Sequence, residues 1–242
     1  MPKFFFDIEN INGTHVDMFG ETAHHIINVL RYKVGDEVFL CDGNCTDYAA
    51  KLISCETKKK YTKARFEVLE TKKCTTEPPV FIRLYQSVIK WESFDFAIQK
   101  AVEVGASEIV PVVTERSIYK IEDVKKKNMR FNRIAKSAAE QSLRGIVPYV
   151  ALPKNLRDTV INKETFAFFA CCDEKKSLAS RLEHMKAEKA EIWIGPEGGF
   201  TEAEKRSMLA NNIISYGLGP RVLRSETASI VSIALLLMLH ER

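Results

Sequence analysis

Two short stretches combine residue types with a spacing that could serve chemistry. In the first, the strand-like run Ile192-Trp193-Ile194 leads into Gly195-Pro196-Glu197-Gly198-Gly199-Phe200, and Thr201 with Glu204 has the spacing of a capping box opening a helix. Glycines at the end of a strand let a ligand approach backbone N–H and C=O groups closely. A tight turn would use the same glycines. The stretch is neither a Walker loop, since no Gly-Lys-Ser/Thr follows, nor a G-x-G-x-x-G fingerprint. The second stretch repeats the plan: a strand over Asn212–Tyr216, the loop Gly217-Leu218-Gly219-Pro220, then Arg221-Val222-Leu223-Arg224-Ser225-Glu226-Thr227-Ala228 entering a helix. Two glycine loops at the ends of neighbouring strands would form one cleft. Arg224 and Glu226 stand at its helix entrance, either as reactive groups or as an ion pair and a helix-start charge.

The rest of the chain supplies charge and scaffold. Its 242 residues are 45% hydrophobic and 28% charged, the balance of a globular protein rather than a disordered or low-complexity one. Net charge is +4, unevenly spread: residues 1–72 carry 10 Lys/Arg against 11 Asp/Glu, whereas 116–144 carry 9 against 3. Such a local field suits a phosphate backbone, and equally a solvated helix face. No apolar run reaches the roughly 20 residues of a membrane helix. Met1–Asp7 lacks the pattern of a signal peptide, which predicts a cytoplasmic protein. Cys41, Cys45, Cys55, Cys74, Cys171 and Cys172 form no C-x-x-C pair or zinc-finger spacing, so no metal is expected. Cys171 and Cys172 read as a buried strand end.

Elements follow from periodicity. A strand from Phe4, a helical stretch over Thr22–Arg31, the strand Glu37–Cys41 turning tightly at Asp42-Gly43, and strands at Tyr48–Ile53 and Ala64–Leu69 around Lys58-Lys59-Lys60 suggest a small β-barrel. Lys72–Pro79 reads as a linker. Beyond it strands alternate with helices: Val80–Gln86, the helix Trp91–Val104 closed by Gly105, Glu108–Val113, the helix Asn128–Leu143, Phe166–Cys171, Glu191–Ile194 and a last helix over Glu226–His240. This order predicts an α/β fold with a mainly parallel sheet. In the last helix Ile230, Ile233, Ala234, Leu237 and Met238 form an apolar stripe suited to a core or a subunit interface.

Together, Gly195–Phe200 and Leu218–Ala228 closely resemble the RsmE family, 16S ribosomal RNA uridine N3-methyltransferases of the SPOUT superfamily. His25 with Val29-Leu30-Arg31 and Gly35-Asp36 is similar to the family's N-terminal signature. Gln99-Lys100-Ala101, Glu103, Gly105, Thr114-Glu115-Arg116-Ser117, Glu140-Gln141-Ser142, Arg144 and Pro148 match further blocks. Leu143 departs from the pattern, standing where many members carry Gly.

The resemblance implies a PUA-like RNA-binding β-barrel over 1–72 and a SPOUT domain over 73–242 with a deep trefoil knot. It implies a homodimer, and S-adenosylmethionine held by Gly195, Pro196, Glu197, Gly198, Gly199, Leu218, Gly219, Leu223, Arg224 and Thr227. The substrate would be uridine 1498 of 16S rRNA in the small subunit, methylated on N3. That nitrogen is a poor nucleophile until its proton leaves, so the expectation is a guanidinium, Arg224 or Arg144, stabilising the anion, and a carboxylate, Glu197 or Glu226, accepting the proton. Glu197 could instead buttress its loop, and the arginine field could act without any single base. Arg31, Lys33, Arg116, Arg130, Arg133, Lys136 and Arg144 are the expected RNA contacts. Three competing readings are a SPOUT enzyme acting on another base or site, a non-catalytic RNA-binding protein, and an enzyme binding some other nucleotide.

Overall fold

The computed structural model describes residues 2–58, 61–118, 123–159, 165–182 and 188–240; Lys59 and Lys60 of the basic run lie outside these. The chain divides into two units, Met1–Glu77 with Ala139–Val147, and Pro78–Ala138 with Pro148–Arg242, rather than at a single cut after residue 72.

In the first unit the strands are β1 (Lys3–Phe5), β2 (Ile11–Asn12), β3 (His15–Phe19), β4 (Glu37–Cys41), β5 (Thr46–Lys58) and β6 (Tyr61–Lys73), with helix α1 (Gly20–His24) after β3. They form one six-stranded sheet, ordered β1-β4-β5-β6-β3-β2, antiparallel except for β1 with β4. This sheet stands where a barrel was expected. Alternation along β6 sends Thr62, Ala64 and Phe66 inward and Tyr61, Arg65 and Glu67 outward, so one face packs on Val16, Met18, Leu40, Leu52, Ala23 and Ile26.

The structure departs from expectation at three places here. The helical stretch is α1 followed by a π-type turn over His25–Val29. The hairpin after β4 is no two-residue turn: four residues, Asp42–Cys45, separate β4 from β5, and the Asp42 carboxylate accepts from Asn44 N and Thr46 N. The expected linker is mostly structured. β6 runs to Lys73, Cys74 is buried, and the Glu77 carboxylate accepts from Arg144 Nη2 (2.6 Å), Gly145 N (2.8 Å) and Ile146 N (3.2 Å).

The second unit contains β7 (Phe81–Ser87), α2 (Trp91–Val104), β8 (Glu108–Val113), α3 (Val124–Gln141, whose end belongs to the first unit), β9 (Tyr149–Val150), β10 (Lys154–Asn155), β11 (Phe166–Ala170), α4 (Leu178–Leu182), β12 (Lys189–Ile194), α5 (Glu202–Ala210), β13 (Ile214–Tyr216) and α6 (Ser225–His240). Every strand pairing in its sheet is parallel, in the order β10-β8-β7-β12-β11-β13 with β9 also on β8. The strands are therefore near-continuous apolar runs, and Tyr85 of β7 stacks on Trp193 of β12 with centroids 3.6 Å apart. Strand order reverses between β7 and β12. In open parallel sheets that point, at the carboxyl ends of the strands, is where a crevice opens.

At the carboxyl end of α3 the chain turns sharply. Arg144 N donates to Ala139 O (2.9 Å) and Leu143 N to Glu140 O (3.4 Å), the two bonds of a Schellman motif. Leu143 occupies its left-handed position at φ 59°, a conformation that glycine adopts without strain.

Candidate functional site

A cleft of about 620 Å³ opens at the carboxyl edge of the parallel sheet. Both glycine loops line it, but their strands are not neighbours: β11 lies between β12 and β13. Because all three strands run parallel, their ends still meet at one edge. The end of β11 adds Ala170, Cys171, Cys172 and Asp173, which sequence reasoning did not place in the site. Cys171 is half-buried and Cys172 exposed, so the buried strand end expected for them is not what they form.

The first loop is pinned from outside. The capping box is present: Thr201 Oγ1 accepts from Glu204 N, while the Glu204 carboxylate accepts from Thr201 N (2.8 Å). That carboxylate also accepts from Glu115 N (2.8 Å), and Arg116 Nη1 donates to Gly198 O (2.7 Å). Arg116, expected on RNA, thus holds the glycine loop and lines the cleft. Glu197 is exposed, and its carboxylate accepts from Lys90 N (3.4 Å), the arrangement of a buttress.

The second loop depends on close backbone approach. A Cβ on Gly217 would stand 2.1 Å from Glu174 O. The Glu174 side chain accepts from Lys176 N, Ser215 Oγ and Arg181 Nη2, and these bonds, led by the Lys176 amide, draw its pKa down to about 2. Gly199 and Gly219 have φ of 67° and 95°, with nothing within 4 Å of where a Cβ would stand. Their backbone therefore faces open space along the cleft. Arg224 is exposed, Glu226 half-buried, and both line the cleft. Thr227 is half-buried and not part of the lining. The lining carries Lys90, Arg116, Lys205, Arg221 and Arg224 against Asp173, Glu197 and Glu226, a positive balance suited to an anionic substrate.

Other expected residues lie elsewhere. Arg144, expected beside the reacting base, is buried in the first unit with its guanidinium on Glu77; a buried cation needs such a counter-charge, which commits that face of the side chain to packing. Arg31 and Lys33 are exposed in the same unit. On α3, Arg130 pairs with Asp95 of α2, Arg133 is exposed and Lys136 half-buried, while Phe131 and Ala135 face inward. Among the described residues no group of His, Cys, Asp and Glu could hold a metal ion, and no helix is long and apolar enough to cross a membrane.

Residues 76–237 match the model of an RNA methyltransferase domain, and residues 20–63 that of an RNA methyltransferase PUA domain. The ribosomal RNA small subunit methyltransferase E of Bacillus subtilis is 31% identical to this chain, over 97% of it and 95% of the relative. The chain belongs to the RsmE family. An RsmE from Neisseria gonorrhoeae, solved with S-adenosyl methionine bound, is 30% identical with a TM-score of 0.87, covering 99% of this chain and 98% of that one. A methyltransferase from Legionella pneumophila in complex with the same cofactor is 28% identical with a TM-score of 0.86, covering 97% and 96%. Both glycine loops that line the cleft fall within the residues matched to the methyltransferase domain.

Proposed function

We propose that this RsmE-family chain transfers the methyl group of S-adenosylmethionine to N3 of uridine 1498 of 16S rRNA, in the small ribosomal subunit, in the cytoplasm. The observation that carries this reading is the cleft itself: two glycine loops whose open backbone faces a volume in the 300–1,000 Å³ range of small-molecule sites, at the switch point of a parallel sheet. The residues present fit the cofactor. Glycines at 199 and 219 leave room where any side chain would intrude, and backbone amides and carbonyls along Gly195–Gly199 and Leu218–Leu223 can bond a purine edge. When bound, S-adenosylmethionine supplies an electrophilic methyl on a sulfonium.

The chain's own residues must then bind, orient and deprotonate uridine. Arg224, exposed in the cleft, is the guanidinium assigned to the negative charge spread over N3, O2 and O4. Glu226 on the first turn of α6 is the proton acceptor, since Glu197 is engaged with the Lys90 amide. Arg144 is assigned to packing the Ala139–Val147 turn. The positive lining draws the RNA backbone in, and the base must leave its stack to reach the cleft. Arg31, Lys33, Arg130, Arg133 and Lys136 are the assigned phosphate contacts outside it.

The same reading includes a knotted second unit and a homodimer. α6 supports the dimer: Ile230, Val231, Ala234 and Leu235 are half-buried and Met238 is exposed, an apolar face for a partner subunit to cover. Sedimentation at micromolar concentration should give twice 27.5 kDa. The decisive experiment incubates the protein with labelled S-adenosylmethionine and small subunits lacking N3-methyluridine, then identifies the nucleoside by mass. N3-methyluridine at one site is expected; transfer to another base would move the reading to a different RNA target.

A further inference from the structure

We propose that Gln86 is a positioning residue that locks the two glycine loops of the cleft to one another through Ser225. The inference rests on the reading of that cleft as the cofactor site. Gln86 lies near the carboxyl end of β7, opposite Ile194 in the parallel register, and is fully buried. Its amide makes a defined set of bonds. Nε2 donates to Ser225 Oγ (2.9 Å) and to Ser87 O (3.0 Å), while Oε1 accepts from Ser229 Oγ. Ser225 Oγ in turn donates to Gly195 O (2.6 Å).

The orientation of the amide is dictated by this network. Flipped, Oε1 would face the Ser87 carbonyl, two acceptors in contact. It would also take the Ser225 hydroxyl proton away from Gly195. With both amide protons placed this way, Gln86 occupies a lone pair of Ser225 Oγ, holds the hydroxyl in position and leaves its proton for the Gly195 carbonyl.

The geometry links both walls of the cleft. Gly195 begins the first loop and Ser225 follows Arg224 at the end of the second. A Cβ on Gly195 would stand 3.3 Å from Gly199 Cα, so this loop is folded tightly on itself and the peptide orientation at 195 sets the position of Gly199. One buried amide thus fixes where the backbone groups of both loops point. α6 repeats the device one turn and two turns on: Ser229 reaches Gln86, and Ser232 accepts from the Tyr216 hydroxyl at the end of β13. A volume filler at 86 needs none of these bonds, and the isosteric apolar substitution Gln86→Met separates the two roles.

The test is a double-mutant cycle on Gln86→Met, Ser225→Ala and the pair in the full chain. Calorimetry reads S-adenosylmethionine affinity, and methyl transfer to small subunits reads KM and kcat. Each single variant should weaken cofactor binding at least tenfold, and the double variant no more than the worse single. KM for the cofactor should rise with kcat at saturation kept within threefold. The proposal is overturned by cofactor affinity within twofold of wild type in Gln86→Met, by additive effects, or by a kcat that falls in step with affinity. If Gln86→Met does not fold, a kept affinity in Ser225→Ala is sufficient to overturn it. A wild-type chain that binds no S-adenosylmethionine would instead sink the cofactor reading itself.

Discussion

Substituting Gly217 by alanine should damage the second unit more than its size suggests. The residue follows β13, and the added Cβ would lie 2.1 Å from the Glu174 carbonyl oxygen and 3.1 Å from its carbon. Ordinary carbon–oxygen contact begins near 3.3 Å, so a backbone carbonyl must retreat by about 1 Å. Overpacking of this kind costs roughly 1–3 kcal/mol. The retreat also strains Gly217 N to Lys176 O (2.9 Å) and Ser215 Oγ to Glu174 Oε2 (2.7 Å), each contributing about 1 kcal/mol. The expected loss is about 3 kcal/mol, or a fall of about 1–1.5 M in the urea midpoint at an ordinary m-value. Gly219→Ala is the control. There φ is 95° and the space is open, so only backbone strain of about 1–2 kcal/mol acts. Both tryptophans, Trp91 and Trp193, lie in the second unit, so their fluorescence during urea unfolding reports that unit alone. A Gly217→Ala midpoint no lower than that of Gly219→Ala would refute the steric argument.

Glu77→Ala removes both the carboxylate on the buried Arg144 guanidinium and the acceptor of the Gly145 and Ile146 amides, and should cost the first unit about 3–5 kcal/mol, read by calorimetry, with a smaller loss for Glu77→Gln, which keeps an acceptor for those amides. Arg224→Ala should keep S-adenosylmethionine affinity within threefold while methyl transfer falls about a hundredfold or more; equal losses in both would make Arg224 a binding residue only. Glu174 has a folded pKa of about 2 against 4.5 unfolded, so the unfolded chain takes up its proton first. Its contribution is complete above pH 4.5 and disappears as pH falls towards 2; Glu174→Gln should flatten that part of the stability–pH curve and leave its shape above pH 5 unchanged.

Much of this protein is written locally. The apolar runs Ile192–Ile194 and Phe166–Ala170 could only be buried strands, and their alternation with helices dictates a parallel sheet whose carboxyl ends share an edge. The Thr201/Glu204 capping box is set by a spacing of three, and the glycine loops by chemistry that only glycine tolerates. These are near-neighbour properties, so a linear reading finds them.

What the tertiary structure decided involves partners far apart in the chain. Strand order put β11 between the two loop strands and so brought Cys171 and Asp173 into the cleft. The inward face of α6 mixes Ser225, Ser229 and Ser232, whose hydroxyls bond partners on or beyond the strand ends, with Ala228, Ile233 and Leu236, while Met238 at the end of the apolar stripe is exposed. The bond between Arg144 and Glu77, 67 residues away in the chain, likewise exists only in the fold. An isolated charge in a sequence has no environment, and its pairing and burial, which decide its role, exist only after the chain has folded.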